Sequence, residues 1–222
     1  MVKDYSCNYE KQRVGVIKDV IPSGSYTSLD VGCGNGMFSK ILFDKGHKVD
    51  GIDINIDNIK FAQEKYGACQ DMKFFSYDLS NIKSYSHKKY DFILALEILE
   101  HLPNYDQFLM DLCGLLKKNG LLVISTPNRY SIEGLIGTFW AKRLGKKFNA
   151  WDITHQNVFN SFEFLKSLKE ANLNIKKICG YYYSSSDRLP LLKFRISMPF
   201  YFVRWFPLNM FGFNTIIVSQ NK

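Results

Sequence analysis

Leu29-Asp30-Val31-Gly32-Cys33-Gly34-Asn35-Gly36 joins a strand-like run, Ser25–Val31, to an amphipathic one, Gly36–Lys45. The run reads as a buried strand and its successor as a helix. Glycines at 32, 34 and 36 let the backbone turn sharply and come close to a ligand, and the helix behind them presents free N–H groups at that point. A strand, a glycine turn and a helix in this order suit a bound nucleotide, although such a turn by itself also occurs where nothing binds.

The same alternation continues outward. Lys48–Asp53 reads as a second strand, Ile56–Tyr66 as a helix with Ile59 and Ala62 at helical spacing, and Lys73–Tyr77 as a third strand. Tyr90–Leu96 (YDFILAL) is a fourth, and its almost continuous apolar character suits a strand covered on both faces. Tyr105–Lys117 reads as a helix stopped by Asn119-Gly120, and Leu121–Ser125 as a fifth strand. A helix at Ser161–Ala171 and strands at Asn174–Tyr182 and Phe213–Ser219 follow. Strands alternating with helices predict an α/β fold, a doubly wound and mostly parallel sheet with right-handed crossovers. A length of 222 residues fits a single domain spanning 1–222.

Charge is unevenly placed. Residues 1–128 carry 15 Lys+Arg against 16 Asp+Glu, and residues 129–222 carry 14 against 5, so the whole excess of +8 lies behind Asn128. This excludes a uniformly basic nucleic-acid binder and suggests a rear part that faces something anionic. Cys7, Cys33, Cys69, Cys113 and Cys179 are spread singly, which argues against a disulfide framework or a thiolate zinc site and for a reducing, cytoplasmic compartment. The first residues have no apolar core of a secretory signal, and no run approaches the roughly 18–20 apolar residues of a membrane span. A contact with a membrane surface stays open.

Two carboxylates sharpen the glycine turn. Asp53 ends the second strand, where an acid accepts both hydroxyls of a ribose. Asp78 follows the third, placed to accept from an adenine amino group. The set Asp30, Gly-x-Gly-x-Gly, Asp53 and Asp78 resembles the class I S-adenosylmethionine-dependent methyltransferases. So do YDFILALEILEHL from Tyr90 and LLKKNGLLVISTPN from Leu115, and the resemblance covers roughly residues 25–128. Met37 disfavours the NAD fingerprint, which needs a glycine there. The resemblance implies a Rossmann-like, seven-stranded, mostly parallel sheet whose last strand is antiparallel, with S-adenosyl-L-methionine as cofactor. It implies that Asp30 and the backbone of Gly32, Cys33 and Gly34 hold the methionine end. Asp53, with Ile54 beside it, would hold the ribose, and Asp78 and the Leu79 backbone the adenine. Leu96 and Glu97 would line the sulfonium side. Each Asp taken alone also reads as a strand end or a helix cap.

Past the fourth strand comes Glu97-Ile98-Leu99-Glu100-His101. In a helical turn, Glu97, Glu100 and His101 fall on one face. With His155 they offer two oxygen and two nitrogen ligands for a divalent metal, which would lower the pKa of a bound hydroxyl. Without metal, His101 or His155 serves as general base, with Glu97 beside them. His47 and His87 sit in polar contexts and read as surface residues. The pattern resembles the ubiquinone-biosynthesis O-methyltransferases, which are also similar in Thr126 to Arg129 and in Thr154 to Phe159. It further resembles the small-RNA 3′-end 2′-O-methyltransferases, where the motif holds a metal. In other small-molecule methyltransferases the same residues serve packing and capping.

Two segments have no such motif. Residues 129–150 form a basic amphipathic insertion, with Ile132, Leu135, Ile136, Phe139, Trp140 and Leu144 near one helical face and Lys142, Arg143, Lys146 and Lys147 at its end. The resemblance implies lipid contact there; a substrate lid or a helix covering the core is the other reading. Residues 183–212 form an aromatic and basic insertion before the last strand, suited to a membrane surface, a long apolar substrate, base stacking or cover for the sheet edge. The expected activity is methyl transfer to a hydroxyl of a small-molecule or lipid-linked acceptor, with peripheral contact to an anionic membrane. The rivals are an RNA 3′-terminal ribose 2′-O-methyltransferase and a non-catalytic cofactor-binding adaptor.

Overall fold

The computed structural model describes residues 8–67, 69–85, 88–147, 149, 152–181 and 214–222. Among them the chain runs α1 (Asn8–Val20), β1 (Thr27–Val31), α2 (Met37–Asp44), β2 (Lys48–Asp53), α3 (Ile56–Tyr66), β3 (Met72–Ser76) and β4 (Tyr90–Leu96). It continues with α4 (Tyr105–Leu115), β5 (Leu116–Pro127), α5 (Ile132–Arg143), α6 (Ser161–Glu170), β6 (Leu173–Tyr181) and β7 (Asn214–Asn221). Short 3-10 turns at Leu79–Ser84 and Leu99–His101 follow β3 and β4. The described strands form one seven-stranded sheet in the order β3-β2-β1-β4-β5-β7-β6. β7 is antiparallel to both its neighbours, and the other pairings are parallel. This is the expected Rossmann-like α/β architecture with its antiparallel last strand.

β4 shows why the fold closes. Successive side chains point to opposite faces. Ile93 and Ala95 therefore join one apolar layer with Leu29, Val31, Ile52, Leu109 and Leu112. Phe92, Leu94 and Leu96 join the other, with Ile17, Phe38, Leu42, Ile59 and Ala62. Each such large side chain contributes about 1.5–3 kcal/mol on burial. α1 was not legible in the sequence: its apolar stripe is short, and Val16 and Ile17 become buried only because the sheet is there to receive them.

Two expectations are corrected. The helix read as Tyr105–Lys117 ends at Leu115, and β5 begins at once. Leu116 pairs with Tyr90 and Leu121 with Phe92, so residues 117–120 form an irregularity inside the strand. The Asn119-Gly120 turn signal belongs to that bulge, where Asn119 has φ 62°.

His47 is not a surface residue; it is 2% exposed. Its Nε2 lies 2.8 Å from the Pro22 carbonyl and its Nδ1 2.6 Å from Ser28 Oγ. A carbonyl only accepts, so Nε2 carries the proton and the Ser28 hydroxyl donates to Nδ1. Burial holds the imidazole pKa below its ordinary value. The unfolded chain therefore takes up this proton first, and stability falls as pH drops below about 6.5 toward the lower folded value. His47→Gln should flatten the change in melting temperature between pH 7 and 5, measured by circular dichroism.

In α5, Gly134 and Gly137 are buried, whereas Leu135, Phe139, Trp140 and Leu144 are exposed. Most of its described large apolar residues therefore face outward. Among the described residues, no helix is long and apolar enough to cross a membrane. His87 and the insertion at 183–212 lie outside the described residues.

Candidate functional site

Strand order reverses between β2-β1 and β1-β4, which opens a crevice at the carboxyl ends of these strands. The glycine turn sits there. Gly32, Gly34 and Gly36 have φ of 67°, 52° and 79°, the left-handed region that favours glycine. A Cβ on Gly32 would clash with Ile98 Cδ1. The Gly34 N–H donates to Asp53 Oδ2 at 2.9 Å, and the Asn55 N–H donates to Asp53 Oδ1 at 2.8 Å. One carboxylate thus ties the glycine turn to the loop opening α3, and each oxygen keeps accepting capacity for a ligand. Ile54 beside it is exposed. Asp78 caps the following 3-10 turn by accepting the Ser80 N–H at 2.9 Å, so it does perform the capping role that its position allowed.

Asp30 is buried at the end of β1 and accepts the Ser39 hydroxyl at 2.6 Å. Burial pushes its pKa up to about 7, against the pull of that hydroxyl, and the nearby Asp53 charge adds to the rise. Burial likewise raises the Cys33 thiol far above its ordinary range, so Cys33 is not a nucleophile. Leu96 is buried at the end of β4.

Glu97 departs from the helical turn expected for it. Its φ is 56°, left-handed, a conformation that costs a non-glycine residue about 1–2 kcal/mol and persists only where the surroundings impose it. The Glu97 N–H donates to the Ser125 carbonyl at 3.0 Å. Arg13 of α1 lies 3.5 Å from Glu97 Oε2, and Asn214 Nδ2 at the start of β7 donates to Glu97 Oε1 at 2.5 Å. Among the described residues Glu97 does not join Glu100 and His101 in a group of converging ligand atoms. Arg13 also stacks over the Phe38 ring at 5.1 Å and opposes the pKa rise of Asp30 and Glu100. Arg13 and Asn214 are site residues that the sequence reading missed. Arg13 gave no signal; a polar Asn opening an apolar last strand was the one available for Asn214.

Glu100, His101 and His155 are brought together, each offering one ligand atom within 4.8 Å of the others. The loop carrying His155 is fixed by the Gln156 and Asn157 N–H groups, which donate to the Glu100 carbonyl. Gln156 and Asn157 side chains add bonds to the His101 and Leu102 carbonyls. Hydrogen-bond direction then sets both rings. Thr154 Oγ1 donates to Asp152 at 2.6 Å, so it accepts from His101 Nδ1 at 3.1 Å. The Asn149 carbonyl accepts from His155 Nδ1 at 3.0 Å. Each neutral ring therefore keeps its Nε2 lone pair free for a proton or a cation. Burial and the neighbouring His101 hold His155 below its ordinary pKa, so it is neutral near pH 7.

Glu100 is 1% exposed; Oε2 accepts from Thr126 Oγ1 at 3.3 Å, and Oε1 is buried with no hydrogen-bond partner among the described residues. Burial, with the Glu97 charge beside it, pushes its pKa up to about 8. A buried, unpartnered carboxylate oxygen beside two imidazole lone pairs fits a divalent cation. Of the four expected ligands the structure thus groups three, and Glu97 is engaged by Arg13 and Asn214 instead.

Residues 18–178 match the protein family described as a methyltransferase domain. The chain is 32% identical over 157 residues to the ubiquinone biosynthesis O-methyltransferase of Rickettsia typhi, a match covering 68% of this chain and 61% of that relative. It therefore spans about three fifths of that curated relative. The N-methyltransferase NodS of Bradyrhizobium japonicum, solved with S-adenosyl-L-homocysteine, superposes with TM-score 0.65 at 15% identity, over 97% of this chain and 89% of that one. The [4+2]-cyclase SpnF also superposes with TM-score 0.65 at 15% identity, over 99% and 85%.

Proposed function

Because the chain belongs to the methyltransferase-domain family, we propose that it transfers a methyl group from S-adenosylmethionine to a hydroxyl of a small, lipid-linked acceptor. The observation that carries this reading is the crevice at the strand reversal, where Asp53 braces the glycine turn through the Gly34 N–H at 2.9 Å. Bound there, the cofactor would supply an electrophilic methyl carbon to an acceptor oxygen, with neutral S-adenosylhomocysteine as the leaving group.

The chain's own groups divide the remaining work. Asp53 and Ile54 take the ribose, Asp78 and the Leu79 backbone take the adenine, and Asp30 with the glycine turn takes the methionine end. Arg13 steadies the Asp30 and Glu97 carboxylates from α1. Leu96 and Glu97 line the methyl side. His101 or His155 accepts the acceptor's proton at Nε2, the atom that hydrogen bonding leaves free. Glu100, His101 and His155 would hold a divalent cation, which supplies a Lewis acid that makes a hydroxyl easier to deprotonate. Positioning supplies most of the acceleration.

The lipid-linked acceptor is supported by α5. Its exposed Leu135, Phe139, Trp140 and Leu144 run into exposed Lys142, Arg143, Lys146 and Lys147, a combination that suits an anionic membrane surface. Residues 129–150 are then a cap on a single domain. The test is calorimetric titration with S-adenosylhomocysteine, then incubation with S-adenosylmethionine and a prenylated phenol in anionic vesicles, read by mass spectrometry. Cofactor binding and a methylated phenol are expected. Binding without turnover on any hydroxyl acceptor would favour the adaptor, and methylation confined to RNA 3′ ends the RNA reading. Replacing Lys142, Arg143, Lys146 and Lys147 together by Ala should weaken co-sedimentation with those vesicles; equal binding would move the surface elsewhere.

A further inference from the structure

Asn214 stands 117 residues from Glu97 and yet closes on it at 2.5 Å. It is 1% exposed and opens β7, where its backbone pairs with Pro127 of β5 on one side and Tyr181 of β6 on the other. The amide is therefore carried by the first residue of a strand paired on both sides, and not by a loop. Its target is a carboxylate on a left-handed residue, also 3.5 Å from the Arg13 guanidinium. The two donors differ in kind. Arg13 brings a positive charge, whereas an amide binds the carboxylate without cancelling its charge.

Resting on the reading of Glu97 as the methyl-side residue, we propose that Asn214 is a positioning residue that lets the site distinguish the cationic cofactor from its neutral product. Held by Asn214, the Glu97 carboxylate presents its charge to the sulfonium of S-adenosylmethionine. After methyl transfer the sulfur is a neutral thioether, and that attraction is gone. Losing the amide lets the Glu97 carboxylate turn toward the Arg13 guanidinium, where more of its charge is spent.

The experiment measures dissociation constants for S-adenosylmethionine and S-adenosylhomocysteine side by side at pH 7.5, by calorimetry, for the full chain and for N214L, N214A and N214Q. N214L removes the donor and keeps the bulk. N214A removes the donor and most of the side chain. N214Q keeps a donor. Affinity for S-adenosylmethionine should fall about tenfold in N214L and in N214A, with S-adenosylhomocysteine affinity changed less than about twofold. N214Q should recover most of the selectivity. General damage to the fold would weaken both ligands equally, and that parallel loss overturns the proposal, as does unchanged selectivity in the variants that lack the donor. If N214L fails to fold, N214A and N214Q decide. A wild-type chain that binds neither ligand defeats the methyltransferase reading itself, a result distinct from parallel losses in the variants.

Discussion

Asp53→Ala is expected to remove calorimetrically measurable binding of S-adenosylhomocysteine. The side chain accepts the Gly34 N–H and the Asn55 N–H, so its loss unties the glycine turn from the loop that opens α3. It also takes away the acceptor assigned to the ribose hydroxyls. A hydrogen bond to a charged group contributes about 1.5–3 kcal/mol, so two lost ribose bonds alone weaken binding by a factor on the order of 10² or more. Asp53 is half-buried at a strand end, outside both apolar layers, so the variant should melt close to wild type. Asp53→Asn keeps one acceptor oxygen and should fall between the two. Unchanged affinity in Asp53→Ala would remove this residue from the cofactor site.

Glu100 carries the second large effect. A chelator should abolish turnover, and Glu100→Gln and His155→Ala should each reduce it by about 10²-fold or more, the scale expected when a metal ligand is lost. Glu100→Gln is nearly isosteric and leaves the Thr126 contact a partner, so it tests the charge and not the packing. Because the Glu100 carboxyl is raised to about 8, it holds a proton at lower pH that must leave before a cation binds. Cation affinity should accordingly strengthen as pH rises to about 8 and level off above. Full activity in the presence of a chelator rejects the metal and leaves the two imidazoles as the proton acceptors.

Shared architecture alone would not have supported these predictions. A [4+2]-cyclase superposes on this chain as well as an N-methyltransferase does. The function reading therefore rests on particular side chains and on membership of the family, not on the sheet.

Much of the cofactor half was legible because its information is local. A glycine turn between a strand and a helix can be read from eight consecutive residues, and Asp53 follows at a fixed distance along one crossover. Apolar periodicity likewise marked β4 and most helices. Glu100 and His101 lie one residue apart, and their meeting with His155 was read from a resemblance between motifs. The hydrogen bonds from Gln156 and Asn157 to the Glu100 carbonyl, which bring His155 there, have no pattern of their own in the sequence.

Other features lie beyond any local reading. His47 looked like a loop residue because its neighbours are polar; its burial comes from Ser28 on the adjoining strand and from the Tyr26 and Phe92 rings. α5 shows the right residues for an amphipathic helix, but only the tertiary structure shows that most of its described large apolar ones face out. By itself the sequence determined the alternating architecture, the glycine turn, the acids at the strand ends and the basic rear, because each depends on residues near one another in the chain. The tertiary structure alone decided the conformation and partners of Glu97. A left-handed residue is imposed by its surroundings, and here those include Arg13 on α1 and Asn214 on β7, 84 and 117 positions away, brought together only when the sheet closes.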